Sequence, residues 1–204
     1  TVRLVPGPNA VCPPGAGSAQ RFFAKCTDCR LCITNCPTGV LKPPGAAGMV
    51  HLEPDTAKCQ FDCKRCVEVC PTGALLPLTL AEKQRTRLGL AVIDTQRCRA
   101  FNKDLCEACA PACPAHALHM VRREDNSIVP VVDAERCIGC GACRSVCPME
   151  PKAIAVVPPK DGKQTLVPPL PTPHYDVICP PGAGSPQRLR SLCTDCNLCV
   201  AKCI

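Results

Sequence analysis

The chain has no tryptophan, a single tyrosine and only four phenylalanines in 204 residues. Large aromatic side chains normally fill much of the interior of a domain this size, so something else must hold this one together. Long apolar stretches are missing as well: no run approaches the roughly 18 residues needed to cross a bilayer. The charged, apolar, small-residue order of an export signal does not occur either. The sequence opens on Thr1 rather than Met, which leaves a removed export signal or membrane anchor open as an expectation. It shows no Gly-rich nucleotide loop, and its Ser, His and acidic residues form no nucleophile–base pattern. No enzymatic constellation emerges.

What the chain has is cysteine, 22 residues or about one in nine. A cofactor held by thiolates is the natural substitute for an aromatic core. The 24 prolines and 13 glycines predict short elements broken by turns. The formal charge of +7 would suit a nucleic-acid partner if the cysteines were neutral. A [4Fe–4S] cubane with four thiolates carries about −2, however, so five would contribute about −10 and leave about −3. The basic residues then compensate buried cluster charge, and no nucleic-acid partner is expected.

Twenty cysteines fall into five quartets. The first is Cys26, Cys29, Cys32 and Cys36, and the second Cys59, Cys63, Cys66 and Cys70. The third is Cys98, Cys106, Cys109 and Cys113, and the fourth Cys137, Cys140, Cys143 and Cys147. Each of these is followed by proline, at Pro37, Pro71, Pro114 and Pro148. The fifth is Cys193, Cys196, Cys199 and Cys203, one residue before Ile204.

Quartets one, four and five have the spacing C-x2-C-x2-C-x3-C, in which three thiolates of a tight loop grip one cubane while the fourth serves a second. Zinc sites prefer two C-x2-C pairs separated by a longer arm, and cysteines in such close triplets are poorly placed to form disulfides with one another. All twenty are therefore read as iron ligands of four to five [4Fe–4S] clusters. Quartets two and three are irregular, opening with Cys59–Cys63 and with the seven-residue gap Cys98-RAFNKDL-Cys106. Two pairings of the quartets are open. Adjacent pairing joins one with two and three with four; nested pairing joins one with four and two with three. Nested pairing is favoured here, because it matches regular with regular and irregular with irregular.

Residues 12–36 and 179–203 repeat one another, from CPPGAGSAQRFFAKCTDC to CPPGAGSPQRLRSLCTDC. The chain therefore reads as a four-quartet body over 1–157, a proline-rich extended linker over 158–178 and the start of a second repeat unit over 179–204. A second unit of this kind would extend a linear wire by self-association; equally, Cys193, Cys196, Cys199 and Cys203 would close one self-contained extra cluster. Strand-forming segments follow quartets one to four (GVLK, GALLPL, HALHMV, KAIAVV), and MVHL, GLAVID and IVPVV precede quartets two to four. Thr79 and Glu82 make a capping box opening a helix to about Leu88. Its Lys83, Arg85 and Arg87 are read first as a solvated face and second as a dock for an acidic partner. Cys12 and Cys179, at equivalent places in the repeat, are read as structural thiols, with a disulfide or a junction contact as alternatives. His116 and His119 are read as surface residues.

The run CPTGALLPLTLAEKQRTRLGLAVID, the long-gapped third quartet, ERCIGCGACRSVCP and the PPGA segment ahead of CTDCRLC resemble the polyferredoxins associated with periplasmic nitrate reductase and methylamine utilisation. The likeness spans roughly residues 12–157. It implies an α+β fold of tandem bacterial ferredoxin-like βαβ modules, loop-rich, with short strands and helices. It also implies four [4Fe–4S] clusters on quartets one to four, passing electrons between a membrane quinol-side donor and an oxidoreductase outside the cytoplasm. The alternative class is a cluster-bearing subunit of an enzyme with its own active site.

Overall fold

A computed structural model describes residues 10–45, 48–55 and 57–169, so Cys179 and the fifth quartet lie outside the described residues. The elements are short, as the proline and glycine content requires. Helix α1 (Ala19–Lys25) starts at Ser18, whose side chain accepts from the Arg21 amide, and buries Phe22. One-turn helices α2 (Leu31–Thr34), α3 (Arg65–Glu68) and α5 (Ala142–Ser145) each carry the third cysteine of a quartet. Helix α4 (Leu80–Arg85) connects the second quartet with the third.

Three antiparallel pairs frame the cysteine loops. Strand β1 (Leu41–Lys42) pairs with β2 (His51–Leu52). Strand β3 (Leu90–Ile93) pairs with β6 (Ile154–Val157) over four positions, and β4 (Leu118–Arg122) with β5 (Ile128–Val132) over five. Thus the strand before quartet three pairs with the strand after quartet four, and the two strands between those quartets form a hairpin. Residues 88–157 close on themselves as one two-quartet unit.

Residues 10–78 repeat that plan in reduced form. The β1–β2 pair again lies between the two quartets. The outer pair shrinks to a single contact, in which the Leu76 amide donates to the Gly15 carbonyl at 2.7 Å. GALLPL, expected as a strand, is irregular, because Pro77 has no amide to donate to a ladder. Gly15 sits at φ +83°, and a Cβ there would lie 2.6 Å from the Leu76 oxygen, so only glycine permits the contact.

Three small cores replace one large one. The first gathers Val11, Phe22, Val40, Leu41, Val50 and Leu52 with Cys66. The second gathers Leu118, Ile138 and Ile154 with Cys109, Cys137, Cys140 and Cys143. The third is little more than Cys98, Cys147, Ala100 and Ala153. Full burial of a side chain such as Phe22 contributes roughly 2–3 kcal/mol, and few residues here are that large. Cysteines are therefore part of the packed interior.

The expected helix beyond Thr79 forms, with the Thr79–Glu82 capping box complete. It stops at Arg85 rather than near Leu88, because Thr86 turns extended and bridges Leu166. That bridge belongs to a strap. Residues 158–169 were expected to be linker, yet as far as Pro169 they belong to the same compact unit as the body. Gln164 donates from its amide to Gly17 O at 2.7 Å and from Nε2 to Pro13 O at 2.8 Å. The Val167 amide donates to Arg85 O, and Arg85 Nε returns a bond to Val167 O, each at 2.8 Å.

Candidate iron–sulfur centres

The fold collects sixteen of the cysteines into four groups of four, each a triplet joined by the fourth cysteine of the adjacent quartet. Cys36 lines one recess with Cys59, Cys63 and Cys66. Cys147 lines another with Cys98, Cys106 and Cys109. Cys70 lies within electrostatic reach of Cys26 and Cys32, and Cys113 within reach of Cys137, Cys140 and Cys143. For brevity each group takes the number of its triplet's quartet.

The fourth cysteine is thus exchanged, but between neighbours, so the nested expectation is overturned. Regularity of spacing does not decide the pairing. The strand pairs do, since β4–β5 and β1–β2 each tie a quartet to the next one in the chain.

Local structure explains how irregular spacing still delivers its thiols. The seven residues after Cys98 coil into a 3-10 turn, Arg99–Asn102, ending at left-handed Lys103. Asn102 Nδ2 donates to Gln96 O at 2.9 Å and to Cys98 O at 3.0 Å, which fastens the extra length. In quartets one and four, the residue after the second cysteine is left-handed, at Arg30 (φ 64°) and Gly141 (φ 82°). This turn lets the one-turn helix bring the third thiol back beside the first two.

Burial differs between groups. In group 1, Cys29 is exposed while Cys26, Cys32 and Cys70 are half-buried. In group 4, Cys137, Cys140 and Cys143 are all buried. Burial pushes the Cys66 thiol up to about 12, with the neighbouring Cys59, Cys32, Cys63 and Cys36 adding to it. It does the same for Cys143, again to about 12, with Cys140, Cys137, Cys113 and Cys109 contributing. Cys36 goes the other way. Burial raises it, but donation by the Thr38 hydroxyl and by the Leu41, Thr38 and Val40 amides outweighs that and holds it below the ordinary value. Cys70 is lowered likewise against its burial, through the Leu75 amide, the Thr72 hydroxyl and further amides. Both belong to C-P-T-G, a motif that places a hydroxyl beside the fourth sulfur.

The neighbourhood relations between groups follow a definite order. Cys32 of group 1 lies within electrostatic reach of Cys66 of group 2. Cys59 of group 2 reaches Cys140 of group 4, and its amide donates to the Cys140 carbonyl at 2.9 Å. Cys109 of group 3 reaches Cys143 of group 4. The spatial succession is therefore 1, 2, 4, 3 rather than the order of the sequence. Arg144, which donates to Asp55 Oδ1 and Ile154 O, and Gly141, whose added Cβ would collide with Pro54, also fix the two units together.

Residues 25–74 and 104–150 match the family model of the 4Fe-4S dicluster domain, one match per two-quartet unit. The methylamine utilization ferredoxin-type protein MauM of Methylobacillus flagellatus is 32% identical over 167 residues, covering 76% of this chain and 71% of that protein. The ferredoxin-type protein NapG of Escherichia coli is 32% identical over 160 residues, with 72% and 69% covered. NapF of the same organism is 29% identical over 142 residues, with 69% and 82% covered.

The chain belongs to the ferredoxin-type proteins. Its business is electron transfer on [4Fe–4S] clusters, and the thiol geometry of this ferredoxin-type chain fits such a group. Four sulfurs frame each apolar recess. Yet among the described residues no three Cys, His, Asp or Glu side chains converge to hold a single metal ion. A cubane needs sulfurs held apart around a multi-atom core, whereas zinc draws its ligands to about 2.3 Å.

The remaining expectations divide. Cys12 is a buried thiol directed at Met49 Sδ (3.6 Å) within the first core, a structural role. His116 and His119 are on the surface. Lys83, Arg85 and Arg87, however, do not form a solvated face. Arg85 bonds the strap, Arg87 donates to Glu135 O at 3.1 Å, and Lys83 is 2% exposed. The charge pattern of α4 could not reveal this, because both carbonyls that receive Lys83 come from the loop of quartet two. No helix among the described residues is long and apolar enough to cross a membrane.

Proposed function

We propose that this chain is a one-electron conduit between two redox partners, holding four [4Fe–4S] clusters in the spatial order 1, 2, 4, 3. The ligand sets are Cys26, Cys29, Cys32 and Cys70; Cys36, Cys59, Cys63 and Cys66; Cys113, Cys137, Cys140 and Cys143; and Cys98, Cys106, Cys109 and Cys147. When bound, each cluster supplies a site that takes up and releases one electron with little change of shape. The observation that carries the reading is the succession of neighbouring thiol groups across Cys32/Cys66, Cys59/Cys140 and Cys109/Cys143.

The protein's own contribution is to keep these groups close and in fixed succession, with the triplet of group 4 buried inside that succession. Groups 1 and 3 then stand at the ends, where partners dock. The donor is a quinol-side membrane protein and the acceptor an oxidoreductase that this chain serves as a cluster-bearing subunit. The site of action is outside the cytoplasm, as the Mau and Nap resemblance implies. The fifth quartet, with Cys179 ahead of it, opens a further repeat after the linker and lengthens the conduit by self-association.

Exchange of the fourth cysteine gives the test. Anaerobically purified protein should contain roughly sixteen iron and sixteen sulfide for groups 1 to 4, four of each per cubane. Cys147→Ala should disturb the signal of group 3, judged against Cys106→Ser, and leave that of group 4. Stoichiometric zinc without sulfide, or loss of group 4 in Cys147→Ala, contradicts the reading. Native mass measurement tests the repeat, since a discrete monomer would rule out self-association.

A further inference from the structure

The junction between the two dicluster units holds a lysine that no sequence pattern announces. Lys83 is 2% exposed, although its helix lies near the surface and a lysine normally extends its charge to water. Its Nζ donates to Gln60 O and to Phe61 O, the latter at 3.0 Å. Both acceptors lie in the three-residue arm that carries Cys59 to Cys63. These two bonds hold the ammonium against the loop that begins at Cys59; burial raises the Cys59 thiol, and the nearby Lys83 charge works against that rise. Among the described residues no carboxylate pairs with it.

Its position is fixed from both ends of α4. The Thr79–Glu82 capping box holds the start. The Thr86 hydroxyl donates to Glu82 O at 2.7 Å, and Thr86 and Arg85 are fastened to the strap. The Cys59 amide meanwhile donates to Cys140 O, so the thiol next to the ammonium belongs to the residue that joins group 2 to group 4.

An unpaired cation in a desolvated place is unfavourable unless a negative charge answers it. The anion here is the thiolate set of group 2 with whatever it ligates. A fixed positive charge beside such a centre favours the more negative of its two oxidation states. We propose that Lys83 is a positioning and tuning residue that raises the reduction potential of the second centre above what its burial alone would give. Electrons crossing between the two dicluster units thereby find a favourable seat at Cys59. This rests on the reading that group 2 holds a cluster.

The test uses the full chain with its clusters. Lys83→Met removes the charge and the donors at similar length, whereas Lys83→Gln removes the charge but keeps two N–H donors on a chain one atom shorter. Iron and sulfide are counted first, then midpoints are read by potentiometric titration followed by electron paramagnetic resonance. The group 2 signal is identified by its altered line shape in Cys63→Ser. We expect wild-type iron content in both variants and a fall in the group 2 midpoint larger than at any other site. Unchanged midpoints, an equal shift at every site, or loss of iron from group 2 in both variants would each overturn the proposal. Wild-type protein without iron and sulfide would instead refute the cluster reading on which it stands.

Discussion

The two dicluster units place their cysteines alike and are built very differently. The second, residues 88–157, has a four-position outer pair and a five-position hairpin, and the triplet of group 4 is buried. The first, residues 10–78, has a two-position pair and, in place of the outer ladder, the single Leu76–Gly15 bond. Its group 1 is half open to solvent. What the first unit lacks in ladder it replaces with specific contacts. Arg21 donates to Ala74 O and Gly73 O, Gln164 clamps the backbone at Cys12–Gly17, and the two Thr hydroxyls of C-P-T-G face sulfur. The same ligand arrangement can thus rest on sheet or on cluster and loop bonds. The second choice leaves more of the folding energy with the metal.

The strongest way to break this comparison is to remove the metal. Chelating iron under reducing conditions should unfold the chain cooperatively, because ligand convergence and folding are linked. By hydrogen exchange, the amides of residues 10–78 should lose protection before those of β3–β6 and β4–β5. Equal or reversed loss would show that the ladders do not matter.

The next largest effect targets the one-bond substitute for a ladder. Gly15→Ala puts a Cβ 2.6 Å from Leu76 O at φ +83°, a strain of about 1–3 kcal/mol. Thermal unfolding should show that loss confined to the first unit. Gly73→Ala, also left-handed at φ +62° but with open space around it, should cost less, about 1 kcal/mol. Equal losses would mean that the close approach is unimportant.

A smaller effect is expected from the hydroxyls on sulfur. Hydrogen bonds to cluster sulfurs favour the reduced state, so Thr38→Val should lower the group 2 midpoint and Thr72→Val that of group 1. Neither should move groups 3 and 4, whose fourth cysteines, Cys147 and Cys113, are followed by Pro-Met and Pro-Ala respectively. Redox titration of the two variants decides it.

The smallest effect, absent at neutral pH, concerns Cys12. Burial raises its thiol to about 11 from an ordinary 9.0, so the neutral thiol is favoured by folding. That contribution is complete below about pH 9 and is lost as pH rises through about 11. The wild type should lose on the order of 1–2 kcal/mol more than Cys12→Ala between about pH 8 and about pH 10.5. Parallel curves in thermal melts would refute the buried-thiol role.

The sequence by itself determined the cysteine clusters, the prolines that turn the chain after each quartet, the Thr79–Glu82 cap, and five strands flanking quartets two to four. These are local matters, settled within a few residues by spacing, backbone preference and hydrogen bonds to near neighbours. Tertiary structure alone decided which fourth cysteine serves which triplet, because β1–β2 and β4–β5 tie neighbouring quartets together while β3–β6 and the Leu76–Gly15 bond close each unit over distant residues. The break in GALLPL is local too, since Pro77 lacks an amide, but tertiary structure decided that residues 158–169 lie along the body through Gln164 and Val167. Lys83 belongs with these. Its row of basic neighbours reads as solvated surface, and only the approach of the Gln60–Phe61 carbonyls and Cys59 from another loop turns that ammonium inward.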